Sequence, residues 1–424
     1  MPSPHMFFAL KRVSETNMLV ADFALEKCQS LSENAIALTQ KLVRYKSITP
    51  EDAGSMCFLI RKLQSLGFDC HEVTRQGVRN LVAKRVFGPG ETLAFAGHLD
   101  VVPPGPVELW QCPPFAAEIQ DGRLYGRGVA DMKGAIACFI AAVESLLEQC
   151  SRGSLMFLIT CDEEGEAEHG TAVLMSHLKQ QGVDHLPHYC LVGEPSSRKT
   201  LGDVLKIGRR GSLSAHIRVY GRQGHVAYPH NCDNATHHTS RLLQRLLALE
   251  WDEGSAQMPG TTFQVTQLNS GEFVDNVVPG ACDVCFNIRY SSRFNEAELK
   301  RLIDDILLDL DLNYDIEWQR PCAPYFNQAD DFVALICGAI ESVVGQVPML
   351  TTDGGTSDGR FIASSHTQVI EFGLKNDNIH QINESAQIQD IADLAHIYQL
   401  VIQAFCVEET QIAQRQAQQL AALT

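Results

Sequence analysis

The sequence predicts an α/β protein with a smaller α+β domain inserted into it. Three observations lead there. Between residues 91 and 194, apolar strand-type runs alternate with helical stretches, the pattern of a largely parallel sheet covered by helices. Near Lys206 the texture changes to strictly alternating strands and further helices, as in a sheet with one face in water. Beyond residue 330 the first texture returns, so the second domain interrupts the first.

At 424 residues the chain is too long for one ordinary core. Hydrophobic residues make up 45% and charged residues 20%, and no apolar run approaches the roughly 18 residues of a membrane span. A net charge of −17 argues against nucleic acid and anionic membranes, which need a basic surface. It leaves room for a small anionic substrate if arginines gather locally. Fourteen cysteines are scattered singly and read as the reduced thiols of a cytoplasmic protein. The one C-x-x-C, Cys282 to Cys285, lies in an alternating stretch where residues three apart face opposite ways. That pair reads as structural.

Taken in order, residues 1–31 read as an N-terminal extension, with Met18 an alternative start; Met6-Phe-Phe-Ala-Leu-Lys-Arg is too short and badly ordered for a signal peptide. Ser32 is placed to cap a helix carrying Ile36, Leu38, Leu42 and Val43. Ser47-Ile-Thr-Pro-Glu-Asp is a loop and residues 55–66 a helix. Strands follow at 80–86 and 91–97, a helix at 135–147, a strand at 155–160 and another from Tyr189. The inserted domain, 211–321, reads β-α-β-β-α-β, a ferredoxin-like order, and joins larger-domain segments at 32–210 and 322–424. In the latter, 331–344 is helical and Gln368-Val-Ile-Glu-Phe-Gly is a strand then a loop. The Gln- and Ala-rich tail, 411–420, reads as a polar helix or frayed end.

The chemistry gathers where strands stop. Leu155-Met-Phe-Leu-Ile-Thr-Cys ends abruptly in Asp162-Glu163-Glu164, and the carboxyl ends of strands are where open α/β folds bind ligands. His98, Asp100, Asp131, Glu194 and His380 stand likewise after strands or in glycine-rich loops. Each alone has a plainer reading; Glu194 before Pro195, for example, suits a turn. Together they concentrate negative charge that needs a compensating cation. Imidazole with carboxylate suits zinc, with cobalt or manganese as substitutes, and the count suggests two ions. His98 and Asp100 project to one side of an extended segment about 6.6 Å apart, which suits a ligand steadied by a carboxylate. Asp131 is placed to bridge two ions about 3.5–4 Å apart. Glu163 and Glu164 diverge along extended backbone, so one can coordinate while the other acts as general base.

These residues resemble a known family. Gly97-His-Leu-Asp-Val-Val-Pro, Tyr125-Gly-Arg-Gly-Val-Ala-Asp-Met-Lys-Gly, Thr160-Cys-Asp-Glu-Glu and Val192-Gly-Glu-Pro look like the two-zinc aminoacylase and carboxypeptidase family. Gly208-Arg-Arg-Gly-Ser, Gln223-Gly-His-Val-Ala-Tyr-Pro-His, Gly354-Gly-Thr-Ser-Asp-Gly-Arg-Phe and Ile379-His-Gln-Ile-Asn-Glu fit a deacylase branch whose substrate carries several carboxylates. The match runs from about residue 32 to 408. The resemblance implies a zinc-peptidase-like catalytic domain holding two Zn²⁺ per subunit. Asp131 would bridge them, His98 and Glu194 would complete one site, Glu164 and His380 the other. Glu163 would be the general base and Asp100 would orient His98. The inserted domain would be a lid and homodimer interface, with His225 reaching the partner's site as an oxyanion donor. Arg209, Arg289, Asn276 and Thr356 would position substrate, and Arg210 and Arg360 are further candidates. Asp275, where this branch usually has Asn, and Gly373-Leu-Lys-Asn depart from the pattern without touching a ligand.

A sister deacylase or aminopeptidase would share every metal ligand, and a non-catalytic metal-bound scaffold would share the fold. Glu163 speaks against the scaffold, since a binder needs ligands but no base.

Overall fold

The computed structural model describes residues 21–327 and 330–408, with side chains from residue 31 onward within those limits. The start of the extension and the 411–420 tail lie outside the described residues. Among the described residues the chain divides into two compact units, one of residues 21–207, 327, 330–350 and 357–408, the other of 208–326 and 351–356.

The larger unit is built on an eight-stranded mixed sheet. Its centre is parallel: Ser154–Thr160, Thr92–His98, Tyr189–Val192 and Gln368–Glu371 lie side by side in that order. Antiparallel strands flank them, Asp69–Arg75 and Val78–Val86 on one side and Val204–Lys206 on the other. Every residue of Thr92–His98 and Ser154–Thr160 is buried, which is why both read as unbroken apolar runs.

Helices cover this sheet. Gly134–Leu146 buries eleven of its thirteen residues, and Phe139 from it packs with Phe95 and Phe157 from the strands and Tyr398 from the helix Ile388–Cys406. The helix must approach closely. A Cβ on Gly193 would lie 2.6 Å from Phe95 Cζ and 2.9 Å from Ala135 Cβ, and one on Gly97 would lie 2.5 Å from Met132 Cε.

One element begins earlier than its sequence suggests. The first described helix runs Ala21–Val43, so Ser32 sits inside it instead of capping it. No glycine or proline interrupts residues 21–43, so nothing stops the helix from extending backwards. The Ser32 hydroxyl lies 3.4 Å from His396 Nε2.

The smaller unit has four antiparallel strands, ordered Thr262–Asn269, Ala281–Tyr290, Gly211–Tyr220, Asn313–Cys322. With helices Ala235–Leu247 and Glu296–Asp309 the chain order is β-α-β-β-α-β, and the strand order is ferredoxin-like. Alternation places the core on one face: along Ala281–Tyr290 every second residue is buried. Phe286, Ile288 and Val284 pack there against Leu242, Leu246, Leu299 and Ile303 of the helices. Cys282 is buried and Cys285 half-buried, on opposite faces.

Candidate active site

Register builds the site. In the parallel centre His98 lies opposite Thr160, and Ala96 opposite Val192, so the three strands end within two residues of one another and the residues just beyond them share one edge. His98, Glu163, Glu164 and Glu194 are delivered there directly. Asp131 arrives on the turn before the helix Gly134–Leu146, where its backbone leaves helical geometry (φ −123°, ψ 92°). His380 comes from the loop after Gln368–Glu371, in the left-handed region (φ 61°).

The side chains converge. His98 Nε2 lies 3.1 Å from Asp131 Oδ1 and 3.8 Å from Glu194 Oε1. His380 Nε2 lies 2.9 Å from Glu164 Oε1 and 3.3 Å from Asp131 Oδ2. The two oxygens of Asp131 thus face two different imidazoles, one buried and one half-exposed. Two groups of donor atoms, His98–Asp131–Glu164 and His98–Glu163–Glu194, each lie within 4.8 Å of one another.

The surroundings hold these groups. His98 Nδ1 is 2.8 Å from the main-chain oxygen of Asp100 and 3.6 Å from its carboxylate. Donation from Nδ1 to that carbonyl leaves the Nε2 lone pair free to ligate a cation shared with Asp131. The Asp100 carboxylate itself accepts from the main-chain N–H groups of Glu163 (3.4 Å) and Glu164 (3.1 Å). Asp100 therefore steadies His98 through its backbone and the Glu163–Glu164 loop through its side chain. Asp162 accepts from His169 N–H at 2.9 Å and closes the same loop.

Charge is crowded here. Burial pushes the Glu163 carboxyl well above the usual carboxylate range; His98 opposes this, while Asp358, Glu164 and Asp131 add to it. Burial does the same to Glu194, with Asp131 and Glu163 contributing. The His380 imidazole is raised to about 10 by hydrogen bonds to Asp131 and Glu164.

The residues fit a metal pair. Glu194 Oε1 is buried without a hydrogen-bond partner, and a buried carboxylate oxygen is costly unless something positive meets it. The donors are imidazole nitrogens and carboxylate oxygens, a set that suits zinc and its neighbours.

The other expected residues lie in the smaller unit. His225 is exposed on the short strand Gly224–His225, which pairs with Val277–Val278, and its Nδ1 accepts from Ala227 N–H at 3.1 Å. Asn276 and Asp275 are exposed, Arg289 and Thr356 half-buried. Arg209 is 8% exposed and donates to the carbonyl of Gly355 at 3.2 Å. Arg210 donates to the Gly260 carbonyl at 2.9 Å, an internal engagement. In the larger unit, Arg360 stacks on Phe361. In Gly373-Leu-Lys-Asn, Leu374 is buried and Lys375 pairs with Asp390 at 3.0 Å, so that departure serves internal packing.

Sequence reasoning gave no role to Glu384 and Arg127, both buried beside the Asp131 turn, or to Asp358, which accepts from the Thr171 hydroxyl at 2.7 Å. Each is one charged residue in a loop. Only the glycine-rich frame of Tyr125-Gly-Arg-Gly and the proximity of Glu384 to His380 marked their neighbourhoods.

A mixed sheet ending in paired imidazoles and carboxylates defines a metallohydrolase, and the chain belongs to peptidase family M20/M25/M40, whose pattern it matches over residues 94–404. It is 49% identical over 374 residues to succinyl-diaminopimelate desuccinylase 2 of Shewanella loihica, covering 86% of this chain and 98% of that protein. Succinyl-diaminopimelate desuccinylase 1 of Alteromonas mediterranea is 43% identical over 371 residues, covering 86% and 94%. Among solved structures, an M20 metallo-carboxypeptidase from Sulfolobus solfataricus superposes with a TM-score of 0.73 at 16% identity, covering 87% of this chain and 98% of its own. A dinuclear metal-binding M20 peptidase from Bacillus subtilis superposes at 0.64 with 12% identity, covering 88% and 98%.

Proposed function

We propose that this protein is a metal-dependent amide hydrolase that converts N-succinyl-LL-2,6-diaminopimelate and water to succinate and LL-2,6-diaminopimelate, a step toward lysine and cell-wall diaminopimelate. The observation that carries this is the 49% identity spanning 98% of a desuccinylase, over a chain whose own imidazoles and carboxylates converge at one sheet edge.

His98, Asp131 and Glu194 would hold one ion, Asp131, Glu164 and His380 the other; we assign both as Zn²⁺, with Co²⁺ or Mn²⁺ able to substitute. When bound, such a pair supplies Lewis acidity toward the amide carbonyl and lowers the pKa of water. Glu163 takes the proton from the attacking water and returns it to the departing amine. Its burial suits this work, because a carboxyl held above the usual carboxylate range binds an abstracted proton more firmly than a free one does. Asp100 fixes the loop that carries it.

His225 would supply a proton donor to the developing oxyanion. With Nδ1 accepting from Ala227 N–H, its ring proton is on Nε2. By resemblance it would act in a partner's site, with the smaller unit as lid and homodimer interface. The substrate is anionic, and a protein of charge −17 needs local cations to hold it. Arg209 and Arg289 would pair with its carboxylates, and Asn276 and Thr356 would position it. No helix among the described residues is long and apolar enough to cross a membrane, and a cytoplasmic location is part of this reading.

The test is a comparison of kcat/KM on N-succinyl-LL-diaminopimelate and N-acetylornithine. The desuccinylase reading expects the first to be preferred by at least about tenfold; the reverse preference would make this a sister deacylase.

A further inference from the structure

Four donors converge on a buried carboxylate that the mechanism leaves unused. Glu384 is fully buried. Its Oε1 accepts from the main-chain N–H groups of Ala130 (3.0 Å) and Asp131 (3.3 Å). Its Oε2 accepts from Gly128 N–H (3.1 Å) and the Arg127 guanidinium (2.7 Å). Arg127 is 2% exposed, and its other terminal nitrogen donates to the main-chain carbonyls of His380 (3.3 Å) and Pro103 (3.4 Å).

Stability alone does not ask for this arrangement. A buried ion pair pays heavily for desolvation, and an apolar pair of similar volume serves a core as well or better. What the pair supplies is direction. Successive N–H groups turned inward form a concavity that an anion holds in one shape, and here the anion is the chain's own side chain. Gly128 opens the turn in the left-handed region (φ 83°), and Asp131 closes it with its own N–H on Glu384. One ion pair thereby grips the backbone of two proposed ligands, Asp131 and His380, that come from distant parts of the chain.

We propose that Glu384, working through Arg127, is a positioning residue: it aims the Asp131 carboxylate between the imidazoles of His98 and His380 and so sets how tightly the site retains its metal. This rests on the metal-site reading above. Neither residue touches an ion or substrate. Their effect is on the direction of groups that do.

The experiment loads the full-length protein with zinc and measures zinc loss to a competing chelator alongside the melting temperature. In Glu384→Gln the amide offers one acceptor oxygen and turns an NH₂ toward groups that are themselves donors. Zinc affinity is expected to fall about 10- to 100-fold, with a lowered melting temperature. Arg127→Met combined with Glu384→Gln removes the stranded guanidinium, so the melting temperature should recover while zinc is still lost readily. Should the single variant not fold, the double variant carries the test. Unchanged zinc retention in Glu384→Gln, or retention that returns with the melting temperature in the double variant, overturns the proposal. If the wild-type protein retains no more zinc than Asp131→Asn, the metal-site reading itself fails, and that result is distinct from a failure of Glu384 alone.

Discussion

The two units hold their polar residues in different ways. In the larger one, functional groups sit at the ends of buried parallel strands, and each is gripped: His98 by the Asp100 carbonyl, Glu163 and Glu164 by the Asp100 carboxylate, Asp131 by Glu384. In the smaller one, His225 lies exposed on a two-residue strand and Asn276 exposed in a turn. A site that must hold charge in fixed places is built on the first plan. Groups that must meet and release a substrate are better served by the second. Changes in the larger unit should therefore alter metal binding or the chemical step, and changes in the smaller unit should alter turnover or KM with metal content intact.

The largest effect tests the first half of that contrast. Glu163→Gln should keep its metal and lose about two to four orders of magnitude in kcat, read by metal analysis and steady-state rates on the same sample. Near-normal turnover would remove Glu163 as the base.

His225→Ala comes next. Loss of an oxyanion donor costs about 10²- to 10³-fold in kcat, and metal content should be unchanged. Mixed with Glu163→Gln, it should regain activity in heterodimers if His225 acts across subunits. Failure to regain any would place its action within one chain or nowhere.

Arg209→Met and Arg289→Met should raise KM by about 10- to 100-fold each, the range expected for one charge-assisted contact, with kcat less affected. A fall in metal content in either variant would break the division between the units.

The smallest effect lies on the edge strand of the larger sheet. The Arg79 hydrogen bond to Glu72, at 2.6 Å, holds that carboxyl below its ordinary value of 4.5. A depressed carboxylate adds stability above its unfolded pKa and loses it as pH falls through the folded one. Glu72→Gln should thus cost below about 1 kcal/mol at pH 7, because the pair is partly solvated, and less at a second pH below 4.5. Urea unfolding at the two pH values reads the difference.

What was legible in the sequence follows the same contrast. Glu164 and Glu194 stood out because parallel strands share one carboxyl edge, so acids that end separate runs must meet. The alternation in Ala281–Tyr290 disclosed a one-faced sheet directly. The strand Asp69–Arg75 did not show itself, since as an edge strand it is mostly exposed and polar. Ser32 looked like a cap because a serine before an apolar stripe is the local signal; only tertiary context decides whether the helix runs on. Glu384 was hidden for a different reason. Its partners are backbone N–H groups some 250 positions earlier in the chain, and no spacing pattern encodes such a contact.

The central claim is that converging imidazoles and carboxylates hold metal for hydrolysis of a succinylated amine. The most direct test strips the metal with a chelator, then follows release of succinate from N-succinyl-LL-diaminopimelate as zinc is returned. The account predicts loss of activity on stripping and recovery that saturates at about two equivalents per chain. Full activity in the metal-free protein would contradict it.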